Sequence, residues 1–178
     1  DAVVSADNYH AIIDSPDYYT RLFGAPKMSI TTPDYMIGMY ASTLIKDGGT
    51  LQIGIGSLGD ALCYGLQMRH TQNADYKEFI KKTDMWDKFG PIIDRVGGID
   101  AFEEGITGST EMLVDGYLHL INSGVVKRKT YNNVHIQRLL NEKKITDAVS
   151  PKTLELLIEA GAVQPRLTAA DVDFLMEF

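Results

Sequence analysis

The chain has 178 residues, 44% of them hydrophobic and 23% charged, which allows one ordinary globular domain with a sizeable core. The net charge of -7 argues against a nucleic-acid partner, since Lys127, Arg128 and Lys129 form the only tight basic cluster in the sequence. No apolar run approaches the roughly 20 residues that cross a bilayer, so no membrane partner is expected. The single cysteine, Cys63, cannot form an internal disulfide, and a reducing, cytoplasmic location is expected.

Residues 1–30 show no clear hydrophobic period and contain Pro16 and Pro26, which predicts an extended arm or linker. A first helix is predicted to follow, with Thr32 as its N-cap, Pro33 at its first position and Gly48 as its stop. Its apolar residues are expected to face inward: Met36, Ile37, Tyr40, Leu44 and Ile45.

Residues 48–62 read GGTLQIGIGSLGDAL and predict a strand, a tight turn and a helix. Leu51, Ile53 and Ile55 alternate with other residues as in a strand, and glycines then crowd the turn at 54, 56 and 59. Glycines let a ligand approach bare backbone, and the N–H groups at a helix N-terminus favour an anion. A ligand site is therefore expected at this turn.

The same turn matches the glycine spacing of dinucleotide-binding proteins, through Gly54, Gly56 and Gly59. That fold needs a second strand next, with an acidic residue at its end about 20 residues on. Residues 69–78 are polar and show no strand alternation, so the spacing is weak support. A nucleotide-binding module remains an alternative.

The helix after the turn is predicted over residues 58 to about 68, with Leu62, Cys63 and Leu66 facing inward. Cys63 has no His or Asp at motif spacing, which favours a buried core thiol. Residues 71–104 predict a helical insertion whose first segment ends at Gly90 and Pro91. Its aromatic side chains are expected to serve packing.

A second strand is predicted at residues 106–109, running into a helix that is closed by Gly124. Ser109 or Thr110 is the expected N-cap, so Glu111 is expected in the first helical turn. There the helix dipole and free N–H groups favour an ionised carboxylate. Taken alone, such a glutamate is most often only a favourable charge.

Further along, Val125 and Val126 are compatible with another strand, and residues 131–140 with a helical or mixed segment. Helices are then predicted from Ser150-Pro151 to Gly161 and from a Thr168 cap with Asp171. The last helix reaches the apolar Phe178 without a stop signal, which suggests a piece of a longer chain. The four histidines lack metal-ligand spacing, and no metal is expected.

Two ordered motifs resemble the acetyl-CoA hydrolase/transferase family of CoA-transferases. Residues 47–62, DGGTLQIGIGSLGDAL, resemble its first strand-turn-helix motif, and residues 110–124, TEMLVDGYLHLINSG, its second. The tail from Thr153 is also similar, so the resemblance covers most of residues 31–178. It implies an α/β fold of CoA-transferase type, a sheet flanked by helices, in which residues 31–178 are part of the C-terminal domain. The helical insertion at about 71–104 departs from the shorter members, and residues 1–30 would be an arm from a preceding domain.

The resemblance further implies that Glu111 attacks an acyl-CoA and passes through a mixed anhydride to a glutamyl-CoA thioester. The backbone at Gly54, Ile55, Gly56 and Ser57 would bind the oxyanions, while Asp60 and Asp115 are expected to be structural. A small carboxylate acceptor would make the protein a transferase, and water a hydrolase, with a CoA thioester as substrate and no separate cofactor. The full-length protein is expected to be a homo-oligomer and the isolated chain inactive. A non-catalytic interaction domain, with the insertion as contact surface, is a third possibility.

Overall fold

The computed structural model describes residues 4–18, 24 and 26–177. Two short 3-10 turns, Ala6–Asn8 and Pro16–Tyr18, lie in the predicted arm; its residues 1–3, 19–23 and 25 are outside the described part of the chain. The strands are β1 (Thr50–Ile53) and β2 (Thr107–Thr110). The α-helices are α1 (Thr32–Ser42), α2 (Ser57–Thr71), α3 (Asn73–Lys82), α4 (Met85–Val96), α5 (Asp115–Asn122), α6 (Val134–Asn141), α7 (Pro151–Glu159) and α8 (Ala169–Glu177).

The two strands pair in parallel, with Thr50 opposite Thr107 and Ile53 opposite Thr110. Beyond β2, Ile106 forms an isolated parallel bridge with Val126, close to where the sequence allowed another strand. A parallel pair needs a crossover connection, and here α2, α3 and α4 supply it. The predicted α/β class is therefore confirmed, with a small sheet among many helices.

Helix α1 begins one residue earlier than predicted, because Thr31 is its N-cap. The Thr31 hydroxyl accepts from the N–H of Asp34, and the Asp34 carboxylate accepts from the N–H of Thr31, which is a capping box. The helix also ends at Ser42, well before Gly48. Gly48 instead lies in the turn that leads into β1, with a φ of +73°.

The buried face of α1 also differs from the prediction. Gly38, Met39 and Ser42 are buried, whereas Ile37 and Tyr40 are exposed. Gly38 lies so close to the backbone of α2 that an added Cβ would be 2.5 Å from the carbonyl carbon of Ala61. Close contact between helix backbones selects the small residues for the interface, and the apolar period of α1 gives no sign of this.

The main core lies between β1, α2, β2 and α5. Its buried members are Ile53, Cys63, Leu66, Phe102, Ile106, Tyr117, Leu120 and Val125. Cys63 is a buried free thiol, as predicted. Burial, with a smaller contribution from the Asp60 charge, raises its pKa to about 12, so this thiol is inert as a nucleophile at neutral pH.

The helical character predicted for residues 71–104 is confirmed by α3 and α4. Together with Met39 of α1, these helices build a second core of Tyr76, Ile80, Met85 and Ile93. The Tyr76 hydroxyl lies 2.7 Å from that of Ser42 and ties this core to α1. The predicted break at Gly90-Pro91 is wrong, since α4 continues through Pro91. Met85 and Ile93, on either side of the proline, are both buried in this core, which holds the helix together despite the lost N–H.

Helices α6 and α7 contribute to a third core of Ile136, Leu139, Ile145, Leu157 and Val163. The predicted cap of α7 is confirmed, with reciprocal bonds between Ser150 and Thr153. At the start of α8, Thr168 and Asp171 bond each other in the same way, as predicted. Phe178 lies outside the described residues. In the described part of the chain, none of the helices has the length and apolar character needed to span a bilayer.

Among the residues with described burial, Arg69 on α2 is the largest side chain that is almost fully buried, with 2% exposure. Its guanidinium donates to the carbonyl oxygens of Ser42 (3.1 Å), Ile45 (2.6 Å) and Asp100 (2.7 Å). It also lies 4.3 Å from the ring centroid of Phe102, a cation–π contact. One side chain therefore joins α2, the end of α1 and the loop that leads to β2.

Candidate functional site

The carboxyl ends of β1 and β2 lie at the same edge of the sheet. Ile53 and Thr110 lie opposite each other, and each is the last residue of its strand. The residues that follow them, Gly54 and Glu111, therefore begin the two loops at this same edge. Parallel strands lie about 4.8 Å apart. The structure therefore brings the two sequence motifs to one edge, where ligands commonly bind in α/β proteins.

The glycine-rich turn joins β1 directly to α2. Gly54 is exposed, while Ile55, Gly56 and Ser57 are partly buried. Gly56 is the N-cap of α2, with a φ of +127° that side chains rarely tolerate, and no side chain in the described part of the protein caps this helix start. A Cβ at Gly59 would collide with the carbonyl oxygen of Gly54. Glycine is thus required for the turn itself and for the close approach of the helix.

Glu111 is not in the first turn of a helix, so that prediction is wrong. Strand pairing continues through Thr110, and the Thr110 hydroxyl then donates to the carbonyl oxygen of Met112 at 2.6 Å. This local turn delays the start of α5 until Asp115. Glu111 is an exposed residue of the loop between β2 and α5, and the carboxylate in the first helical turn belongs to Asp115.

Tyr117 fixes α5, and with it this loop, against the sheet. Its hydroxyl lies over Gly108 of β2, where a Cβ would have no room. That hydroxyl is buried and has no hydrogen-bond partner among the described residues. Burial, and the neighbouring Cys63, raise the pKa of the phenol, so Tyr117 remains neutral. An unpaired buried hydroxyl costs about 1–3 kcal/mol, which the packing of the ring offsets.

A small cleft of about 150 Å3 lies beside the two motifs, lined by Pro26, Lys27, Ile55, Gly56, Asp60, Leu113, Val114 and Asp115. Lys27 donates to the Asp115 carboxylate at 2.9 Å. This hydrogen bond and the attraction of the charges lower the pKa of Asp115, and they raise that of Lys27. Both groups therefore stay charged at neutral pH.

Lys27 was missed by sequence reasoning. It lies in the irregular arm, 88 residues before its partner Asp115, and no local pattern indicates that pairing. Asp60, in the first turn of α2, also raises the pKa of Lys27 by its charge, a smaller effect than that of Asp115. Among the described residues, the cleft is thus lined by two carboxylates and one cation.

Asp47 organises the opposite edge of the sheet. Its carboxylate accepts from the backbone N–H groups of Gly48, Glu103, Glu104 and Gly105, at distances of 2.9–3.0 Å. Partial burial raises the pKa of this carboxyl, but the four hydrogen bonds outweigh it, so the pKa lies below its ordinary value. Asp47 therefore joins the turn before β1 to the loop before β2.

We expect Asp47→Asn to lower the free energy of unfolding by about 1–3 kcal/mol at neutral pH, because the amide accepts fewer hydrogen bonds and lacks the charge. The native pKa of Asp47 is below the unfolded one, so its stabilisation is present above about pH 5 and is lost as pH falls through the native pKa. The difference between wild type and variant should therefore shrink on acidification.

Urea unfolding followed by circular dichroism at pH 7 and pH 3 measures both effects. Asp94→Asn, which changes an exposed carboxylate on α4, is the matched control and should leave stability within about 0.5 kcal/mol. A pH-independent difference between wild type and Asp47→Asn would contradict the assignment.

The dinucleotide-binding alternative finds little support in the fold. Residues after α2 form α3 and α4, and the next strand along the chain is β2. The second strand, with its acidic end, is therefore missing from the place where that motif requires it. Among the described residues, no group of three or more His, Cys, Asp or Glu is placed to hold a metal ion.

Comparison of the chain with protein-family models, with curated proteins and with solved structures finds no match.

Proposed function

We propose that the protein transfers CoA between an acyl-CoA and a small carboxylate, or hydrolyses the acyl-CoA, through a covalent intermediate on Glu111. The observation that supports this is the parallel register of β1 and β2, by which Gly54 and Glu111 follow paired residues. A carboxylate nucleophile and a set of backbone donors thereby lie at one edge of the sheet.

The proposed reaction has a covalent intermediate on Glu111. A Glu111 carboxylate oxygen attacks the thioester carbonyl, and the C–S bond breaks to release the CoA thiolate and leave a mixed anhydride. The thiolate then attacks the Glu111 carbonyl of the anhydride. Glutamyl-CoA forms, and the acyl group leaves as a carboxylate. In the transferase, an acceptor carboxylate attacks glutamyl-CoA and forms a second mixed anhydride, and the released CoA thiolate attacks its acyl carbonyl to give the new acyl-CoA and free Glu111. In the hydrolase, water attacks glutamyl-CoA and releases CoA and free Glu111.

Each step passes through a tetrahedral oxyanion, which needs hydrogen-bond donors. The N–H groups of Ile55, Gly56 and Ser57 are the proposed donors, since none of the side chains that the structure describes caps this end of α2. A donor of this kind lowers a barrier by about 3 kcal/mol. Exposure of Glu111 suits a nucleophile that must reach a bulky thioester.

The neighbouring cleft is too small to hold CoA. Its volume of about 150 Å3 lies below the 300–1,000 Å3 of most sites for larger ligands. CoA would therefore approach Glu111 from the open side of the loop, since the described lining of the cleft has two carboxylates and its cation, Lys27, is paired with Asp115.

Trapping the intermediate tests the proposal. The full-length protein is incubated with acetyl-CoA, and one half of the sample is reduced with borohydride, which converts a glutamyl thioester to the alcohol. Peptide mass spectrometry should find the CoA adduct, or its reduced product, at Glu111. Absence of both adduct and turnover, together with protection of the glycine turn from proteolysis by a nucleotide, would instead support the nucleotide-binding alternative.

A further inference from the structure

A groove of about 610 Å3 lies at the amino edge of the sheet, away from Glu111. It is bounded by the turn before β1, by the segment after Val126, and by α6 with the residues that follow it. Its charged lining residues are Lys46, Asp47, Glu104, Lys127, Arg128, Lys129, Lys143 and Asp147. Among the described residues, five cations therefore face three anions, in a protein whose net charge is -7.

The three carboxylates of the groove are already engaged. Asp47 accepts four backbone N–H groups. Glu104 pairs with Lys143 at 2.8 Å, and Asp147 with Lys129 at 2.9 Å. Glu104 and Asp147 are therefore each paired with one lysine, and Asp47 is the one remaining carboxylate among the described lining residues, facing three further cations.

The remaining cations are Lys46, Lys127 and Arg128. Lys46 and Lys127 form no ion pair with any residue that the structure describes. Arg128 donates to the Oδ1 atom of Asn141 at 2.6 Å, a neutral partner. The groove thus concentrates uncompensated positive charge, which favours an anionic ligand.

The backbone holds these cations in place. Arg128 donates its N–H to Ile106, and its carbonyl accepts from the Thr107 hydroxyl at 3.0 Å, so the segment is fastened to β2. Lys127 packs its stem on Gly105, which has a φ of +77° and leaves no room for a Cβ beneath that stem. The basic segment that the sequence singled out is therefore fixed along one wall of the groove.

We propose that this groove binds a polyphosphate, either free or as the phosphate tail of a nucleotide. Lys46, Lys127 and Arg128 would contact the phosphate oxygens, since lysine and arginine are the usual phosphate ligands of proteins. The volume is sufficient for a nucleoside triphosphate, and the half-buried Tyr131 and Leu140 provide apolar wall. The groove and Glu111 lie at opposite ends of the strands. The length of β1, four residues or about 13 Å, separates them.

Isothermal titration with inorganic tripolyphosphate and with ATP, at low and at physiological salt, tests the proposal. Both should bind with one site per chain, and binding should weaken as salt increases. K46Q/K127Q should weaken binding at least tenfold. The matched control, K81Q/K152Q, removes the same charge from exposed positions outside the groove and should leave binding within twofold.

Two comparisons decide what the ligand is and whether the site is separate. ATP binding tenfold tighter than tripolyphosphate would identify a nucleotide, and equal affinities a free polyphosphate. E111Q should bind tripolyphosphate and ATP as wild type does, because Glu111 does not line the groove. This result does not depend on the acyl-CoA proposal. Absence of saturable binding at low salt, or equal weakening by the two double variants, would overturn the proposal.

Discussion

Glu111→Gln is expected to lower kcat for acetyl-CoA turnover by at least about 10³-fold in the full-length protein, since the amide keeps the shape of the side chain but cannot act as the nucleophile. The loss should appear in kcat more than in KM, because the exposed Glu111 side chain is proposed to bond with substrate only during reaction. The adduct at this position should also disappear. Steady-state kinetics and peptide mass spectrometry measure the two effects.

Two further variants make this result specific. Glu103→Gln removes an exposed carboxylate near the other edge of the sheet and should retain wild-type turnover. Asp115→Asn removes the carboxylate that does lie in a first helical turn. Wild-type turnover in Glu111→Gln, with loss in Asp115→Asn, would contradict the assignment of the nucleophile.

Arg69→Met should lower the free energy of unfolding by about 3–5 kcal/mol, the largest stability effect that we expect from one substitution. Methionine retains part of the apolar stem but leaves the carbonyl oxygens of Ile45 and Asp100 without a donor, and that of Ser42 with only the Ile45 N–H at 3.4 Å. The contact with Phe102 is lost as well. The change should expose the junction between α1, α2 and the loop before β2.

Urea unfolding followed by circular dichroism measures this loss, and Arg69→Lys should recover only part of it, because an ammonium lacks the planar set of donors. The matched control is Arg95→Met, at an exposed position on α4, where a change within about 0.5 kcal/mol is expected. If Arg69→Met lowers the free energy of unfolding by no more than this control does, the buried guanidinium is not a main support of the fold.

Only part of the candidate site could be predicted from the sequence. The glycine turn and its helix were predicted correctly, because glycine spacing and strand alternation are local signals. The position of Glu111 was not, because the strand before it is extended by pairing with β1, a contact between distant residues. Lys27 and Arg69 were missed for the same reason, since their partners lie 88 residues and 24–31 residues away.

The sequence by itself determined the order of the elements, the α/β class, the helical segment between α2 and β2, the caps at Ser150 and Thr168 and the burial of Cys63. These follow from composition, from turn residues and from hydrogen bonds between near neighbours. Only the tertiary structure decided which face of α1 is buried and where α5 begins. It also decided which charges remain unpaired in the basic groove. Close packing, strand register and long-range ion pairs depend on residues far apart in the chain, so no local pattern encodes them.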